Sequence, residues 1–518
     1  MSFSIYWEQY IEKNWEWVLA YISNNAYLDN TTFRGMRWKL LKTFDTIYIY
    51  DLHWNSLKKE KTPEWTTDQN VFDIMVWVNI IFWIKTWKKK KWKLATVYHY
   101  DSYGKRQEKY ENLLNSSIES TKWNKLNPVE PYYFFVEKDF SEQLEYEKWF
   151  SVSELFSKNV LWFQTHRDNF IIWDSYNEIK KRVDEFIHFE WTEEEISKYF
   201  WLKATKEWSI INTQKNLLNI ESLEEFIVPC WFRPFDNKWT FFSKLVIDRT
   251  RTLLVENIFN KENLSLIVPR QTSWNFRHVL CNKFVCEANL TWTWWTNWAW
   301  NIFPLYLYQK NKDDLLWEEK IEKVPNLDWE IILKIEKKLW MSFVYSVDDN
   351  YSDIKWDYFC PEDLFDYIYS VLHSKSYRET YKEFLKIDFP KVPFNVNKET
   401  FFKMVKLWRE LRSYHLLENE NLIPKNFITK YSIDWDNLVE KIKYDDEKVF
   451  INDEQYFEWV PGKVWDFYIW GYQPAQKWLK DRKLSNLGYE DIIHYGKMIV
   501  SLNETVRIME EIERVFNV

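Results

Sequence analysis

Residues 289–308 read NLTWTWWTNWAWNIFPLYLY, with tryptophan at 292, 294, 295, 298 and 300 among threonine, asparagine and alanine. No packing scheme asks for this. An indole is the largest apolar side chain and needs a buried slot and a partner for its N–H, whereas small polar neighbours of this kind ordinarily surround glycine. The whole chain carries the same signature: 35 Trp stand beside only 6 Gly in 518 residues, where about 7% glycine is usual. The expectation is that most of these tryptophans are UGA codons that the source reads as glycine. Trp54, Trp65, Trp87, Trp92, Trp191, Trp408, Trp435 and Trp459 stand where turn or breaker chemistry belongs. Trp38, Trp123, Trp208, Trp239, Trp465 and Trp478 lie in apolar or amphipathic surroundings that can hold an indole. Read with glycine, 289–308 is a pliable loop entering an apolar strand. Read as printed, it suggests a stacking platform for single-stranded bases.

The chain is long enough for several domains, each with its own core. Cys230, Cys281, Cys286 and Cys360 form no CxxC and no Cys/His cluster, which argues against a zinc site and for a reducing compartment. The first residues show no signal peptide, and no run of eighteen apolar residues exists, so a soluble, cytoplasmic protein with no membrane partner is expected. The net charge of −8 decides nothing about nucleic acid, because a local cationic face can sit on an acidic protein.

The expected fold is α/β in the first part, followed by a mixed α+β region and a helical C-terminal tail. VLAYISNN (18–25) reads as a buried parallel strand, residues 31–44 as a helix, TIYIYDLH (46–53) as a strand. Residues 70–86 and 94–101 read as two more strands joined by a hairpin turn through Trp87–Trp92. YYFFVEKDF (132–140) is strand-like, and 158–173 looks like two strands around a turn. Two short amphipathic helices follow. A β-rich block covers about 226–310, including VIDRTRTLLV (246–255), and helices dominate 361–389, 399–418 and 489–515.

YISNNAYLDN and FRGMRWKLLKTFDTIYIYDLH (21–53), EPYYFFVEKDF (130–140), FRPFDNKWTFFS (232–243), FRHVLCNKFVCEANLT (276–291) and YQPAQKWLKDRK (472–483) together resemble the adenine-specific DNA methyltransferase and specificity regions of single-chain restriction-modification enzymes of the type ISP and related type IIG group. The resemblance runs over nearly the whole chain in the family's order. It implies that 1–110 is the C-terminal part of an N6-adenine methyltransferase domain with a partial Rossmann-like sheet, 111–355 a DNA target-recognition region, and 356–518 its helical C-terminal part. It also implies S-adenosylmethionine as cofactor, methyl transfer to adenine N6 as reaction and double-stranded DNA as partner. The family's cofactor loop and Asn-Pro-Pro-Tyr motif lie upstream of a segment like VLAYISNN, so no cofactor is expected to bind this chain alone and no catalytic residue is assigned. Two alternatives stand beside this reading: a stand-alone DNA-binding specificity subunit, or half of a split methyltransferase whose partner is an upstream-encoded methyltransferase or nuclease portion.

Within the basic and aromatic block 232–278, Arg233, Lys238, Arg249, Arg251, Arg270, Gln271 and Arg277 are the DNA-contact candidates. Arginine and glutamine pair bidentately with guanine and adenine edges, and lysine holds phosphates. The competing reading is structural, with Arg233 and Asp236 pairing across Pro234 to fix a turn. Thr165, His166, Arg167 and Asp168 form a second polar cluster that serves equally as a turn or a DNA contact. Lys88–Lys91 is a charge run, most simply a solvated turn. Asn24, Asn25 and Asp29 end the first strand, where open α/β sheets place ligands. Asn127–Tyr133 is broken by two residues relative to the catalytic motif and reads as a strand start. No metal site stands out.

Overall fold

The computed structural model describes residues 16–516 except 55–61, 63–65, 75, 87–89, 91, 273–275, 288–299, 311–320, 346–356, 423–429 and 433–435. It divides into two compact units, Met1–Phe140 and Ser141–Val518. The fold is mixed α/β, with several small sheets and a largely helical C-terminal segment.

The first unit is built on one five-stranded sheet. Its strands are β1 (Trp17–Asn24), β2 (Thr46–Asp51), β3 (Val78–Lys85), β4 (Thr96–Asp101) and β5 (Asn124–Leu126), in the order β1-β3-β2-β4-β5. Two expectations fail here. The strand 17–24 is an edge strand, antiparallel to β3 and alternately half-buried and exposed, with Val18 and Ile22 facing outward. It is therefore not a buried parallel strand. Nor do β3 and β4 make a hairpin, because β2 lies between them, antiparallel to β3 and parallel to β4. The helix Arg34–Thr43 lays Leu40 and Leu41 against Ile47, Ile49, Ile81 and Val97.

Residues 132–140 are not a strand. The buried Arg37 donates to the carbonyls of Tyr27, Asn30 and Tyr132, and Phe135 N–H bonds Leu28 O, so this stretch is pinned as an irregular cover over the helix. Lys109 closes the same unit from within: its ammonium meets Asp68 at 2.8 Å, both side chains fully buried, and also donates to Leu52 O and Gln69 O.

In the second unit two four-stranded sheets share one core. One contains β8 (Ile172–Trp173), β9 (Ile227–Arg233), β10 (Asp236–Phe241) and β13 (Val285–Cys286), in the order β13-β9-β10-β8. The other contains β7 (Val160–Leu161), β11 (Ser265–Pro269), β12 (Leu280–Asn282) and β14 (Trp300–Pro304), in the order β12-β11-β14-β7. The run SLIVP of β11 is buried throughout because it has a partner on each side. The two strands expected in 158–173 exist as two-residue pieces, but they belong to different sheets and the short helix Asp168–Ile171 separates them. VIDRTRTLLV is not a strand: it crosses β-bridge partner Gln164 once at Arg249 and then enters the helix Thr252–Asn257. The short strand β6 (Phe150–Ser151) pairs with Lys391–Val392.

The expected helices form at Tyr176–His188 and Glu193–Phe200, each opened by a Ser or Thr capping box with glutamate three residues on. In the C-terminal segment, Pro361–His373 is buried at every residue but Glu362, its two aspartates paired with Arg409 and Arg412. Lys398–His415 packs on it and on the long helix Tyr489–Val515. This segment is not purely helical, since strands of two or three residues between Lys430 and Glu458 make a small four-stranded sheet.

Trp408, expected at a breaker position, is fully buried inside Lys398–His415. Trp54, Trp201, Trp340, Trp459 and Trp470 instead have left-handed backbone, with φ between 54° and 63°. Among the described residues no helix is long and apolar enough to cross a membrane.

Candidate nucleic-acid interface

The turn at 164–168 and the segment 246–251, separate features of the sequence, form one constellation. Gln164 and Arg249 exchange backbone hydrogen bonds of 3.1 and 3.2 Å, and Phe163 pairs with Glu287 on the other side. Arg167 is buried; its guanidinium donates to Thr165 O, Val246 O and Asp248 Oδ1 and lies 3.8 Å from the Trp208 ring centroid. His166, with φ 54° and an exposed side chain, brings Nδ1 to 2.5 Å from Asp248 Oδ2. These two partners hold the Asp248 carboxyl below its usual range, against the burial that would raise it. Thr165 Oγ1 donates to Asp168 and accepts from Arg167 N–H, a local turn that threonine favours. A cavity of about 330 Å³ opens over this turn, lined by Gln164, His166, Asn169, Trp201 and Glu287. It presents an amide, an imidazole and carboxylates on a rigid backbone, groups that can exchange hydrogen bonds with base edges.

The seven sequence candidates divide by their surroundings. Arg249 is exposed beside this turn, and Arg251 donates Nε to Trp162 O at 3.2 Å, its pKa lowered by burial and by Arg249. Arg233 lies over the Phe232 ring at 4.2 Å and donates to Phe232 O, while Lys238 meets Asp174 at 3.0 Å. Asp236 accepts from Arg482 at 3.0 Å, an ion pair between distant parts of the chain. Arg270 is exposed and meets Asp388 at 2.9 Å; Gln271 is exposed beside it. Arg277 is exposed on the rim of a second cavity, of about 450 Å³, with Lys375, Arg378 and Lys463. Sequence reading missed these three partners and Asp248. Lys375 and Lys463 lie far from Arg277 in the chain, and no local spacing announces their meeting.

In the first unit, Asn25 donates to Asp51 at 2.7 Å and accepts from Asn79 at 2.6 Å, at the carboxyl ends of β1 and β2. Asn24 caps the following turn through Ala26 N–H, and Asp29 is half-buried at the end of a short helix. His53 lies 2.6 Å from Asp101. The buried His99 ring sits between Asp101, 3.5 Å away, and Asp51, 3.8 Å away. Burial disfavours its charge, but the two carboxylates overrule that and push its pKa up to about 9. Ligand atoms of Asp51, His99 and Asp101 lie within 4.8 Å of one another, close enough to consider a metal. An imidazolium there offsets one of the two carboxylate charges. Lys90 is exposed near Trp92; Lys88, Lys89, Lys91 and the tryptophans of 292–298 lie outside the described residues. Trp300 opens β14, buried against Trp162 and Trp470.

Residues 154–511 match the family of the Type ISP C-terminal specificity domain. The chain belongs to this family. Among solved structures, the type ISP fold of this chain is similar to the ATP-dependent Type ISP restriction-modification enzyme LlaBIII bound to DNA, with a TM-score of 0.69, 19% identity, and coverage of 96% of this chain and 33% of that one. A DrdV–DNA complex matches with a TM-score of 0.69 and 20% identity, over 96% of this chain and 50% of that one. A nuclease-deletion mutant of the Type ISP enzyme LlaGI in complex with a DNA substrate mimic matches with a TM-score of 0.66 and 17% identity, over 96% and 46%. At these identities the likeness is one of fold. The type ISP chain described here spans between a third and a half of the length of these structures. No curated protein matches it significantly.

Proposed function

We propose that this chain recognises a specific duplex DNA site for a restriction-modification enzyme that methylates adenine at N6. The observation that carries the reading is the Type ISP specificity-domain match over 154–511, with a fold shared over nearly the whole chain with enzymes solved on DNA. The turn 164–168 with Arg249, and the cationic cavity around Arg277, supply the two kinds of contact such recognition needs: groups aimed at base edges and charges for phosphates. In this reading 1–110 is the C-terminal part of the methyltransferase domain, with β2 and β4 as parallel strands of a Rossmann-like sheet. Residues 111–355 are the target-recognition region, and 356–518 carry its helical part.

S-adenosylmethionine is the cofactor this reading implies for the enzyme. Asn25, Asp51 and Asn79 at the strand ends are hydrogen-bonded to one another, and Gly104 is closed into a turn with Asp68 and Gln69. No step is therefore assigned to that cofactor here. Binding of the chain to duplex DNA, followed across salt concentrations, tests the reading: retention at low salt with a preferred sequence is expected, and no binding even at low salt overturns it.

A further inference from the structure

Most arginines of the second unit that lie near its core are committed to carboxylates: Arg412 to Asp366, Arg409 to Asp363, Arg482 to Asp236, Arg507 to Glu410 and Glu511. The cavity at Arg277 departs from that pattern. Among the described residues, none of Arg277, Lys375, Arg378 and Lys463 stands in an ion pair, although all four line the same space of about 450 Å³ together with Glu379 and Asp466. Arg378 is held in place by neutral acceptors, donating Nε to Ser374 O at 3.1 Å and a terminal nitrogen to Arg277 O, so its charge is fixed in position, with Glu513 and Glu379 acting on it only through space. Burial lowers its pKa only to about 10, which leaves it charged at neutral pH. Glu513 accepts the backbone N–H groups of Lys375 and Ser376. In the wall, His278 is buried and its Nδ1 has no hydrogen-bond partner. On a chain of net charge −8, these four cations outnumber the two carboxylates of the same cavity, Glu379 and Asp466, and leave it able to take an anion.

Resting on the DNA-binding reading above, we propose that this cavity seats phosphodiester groups of the duplex backbone, with Arg277 and Arg378 as guanidinium forks and Lys375 and Lys463 as flanking charges. Such contacts fix the register of the protein on DNA and carry no sequence information. The test uses the full chain, a mixed-sequence duplex, and the exposed-residue variants Lys463→Ala and Lys375→Ala/Lys463→Ala, whose thermal unfolding is checked against the parent. The double variant is expected to bind every duplex more weakly by a similar factor, and to lower the slope of log affinity against log salt by about 1 to 2. If the parent binds DNA and the slope does not change, the cavity is not a backbone site and the DNA reading survives. If the parent does not bind at low salt, both fall. If inorganic phosphate raises the melting temperature of the parent but not of the double variant while the slope is unchanged, the site serves free phosphate and the backbone assignment is overturned.

A separate observation concerns the backbone at tryptophan. Trp201 and Trp340 directly follow the helices Glu193–Phe200 and Trp329–Leu339, with φ 57° and 54°, and each returns its N–H to the helix in the left-handed closure that glycine ordinarily makes. Their indoles are 77% and 84% exposed, so no packing offsets the strain. Trp54 and Trp459 share that conformation. Trp470 does too, but it is buried and its indole donates to His278 O. We infer that glycine occupies 54, 201, 340 and 459 in the protein made by its source, through a code that reads UGA as glycine. Peptide mass mapping of the naturally produced protein should read glycine at 201 and 340; tryptophan at both overturns the inference.

Discussion

Arg167 and Asp248, 81 residues apart in the chain, meet at 2.6 Å, and Arg167 is almost fully buried while Asp248 keeps about a third of its side-chain surface. With the Gln164–Arg249 backbone bridge and the His166–Asp248 contact, this ion pair fastens the 164–168 turn to the 246–251 segment. Replacing Asp248 by asparagine leaves a buried guanidinium with only carbonyl partners. Breaking such a pair costs about 3–5 kcal/mol when both ions are buried; the exposure of Asp248 reduces the expected loss to roughly 1–3 kcal/mol. Denaturant unfolding of Asp248→Asn measures it, and an unchanged midpoint would show that the two segments are held by their backbone bridge alone.

Arg249 stands exposed beside that turn, where the proposed recognition would bring it to a base edge. Arg249→Ala is expected to relax preference at one position of the recognised site, by about 1–3 kcal/mol of discrimination. Selection from a randomised duplex pool reads this out. A uniform weakening across all sequences would instead class Arg249 with the phosphate-contacting cations.

The two units should respond to pH in opposite directions. In the first, His99 has its pKa raised from 6.5 to about 9, so its contribution is complete below 6.5 and disappears as pH rises through 9. In the second, burial holds His415 down to about 3 and His278 and His373 well below 6.5, so the unfolded chain takes up protons that the folded unit cannot. Its stability therefore falls as pH drops below 6.5. Melting curves at pH 5.5, 7 and 9, resolved by probes in each unit, should show the second unit weakened at the acid end and the first at the alkaline end. Parallel shifts of both would contradict the assignment.

Lys109 and Asp68 form a fully buried pair, and Lys109 also satisfies two carbonyls. Lys109→Met is expected to cost about 3–5 kcal/mol, because it strands a buried carboxylate. A double variant with Asp68→Leu should recover much of that loss. Failure of the double variant to exceed the single one in thermal unfolding would place the effect in the lost carbonyl contacts.

At the helix ends the strain is directly measurable. Trp340→Gly is expected to stabilise the chain by about 1 kcal/mol, since the left-handed conformation costs a residue with Cβ roughly 1–2 kcal/mol. Trp340→Ala, which keeps the Cβ, should gain much less. Equal effects of the two substitutions would show that the exposed indole, and not the backbone, carries the penalty.

Sequence periodicity located the long helices and the strands β2, β9, β10 and β11, because each has a clear apolar face or a continuous buried run. It misplaced partners. Nothing in 70–101 says that β2 inserts between β3 and β4, since pairing order depends on the whole sheet and not on the turn connecting two strands. Residues 132–140 look like a strand because aromatic rings are common there, but the buried Arg37 claims their backbone. The site was legible in residue types only. Arg277 could be nominated from its aromatic and basic surroundings, whereas Lys375, Arg378 and Lys463 become its neighbours solely through tertiary folding.

The pairing of β6 with Lys391–Val392 is accompanied by a bond from Lys391 N–H to the Tyr146 hydroxyl, 245 residues earlier in the chain. During synthesis, the start of this unit must wait for about two-thirds of its length to leave the ribosome before it can close, a slow and exposed interval by the logic of loop entropy. Exchanges of recognition modules between relatives should accordingly cut near 140 and carry everything beyond it, because a cut inside the unit separates strands that complete each other.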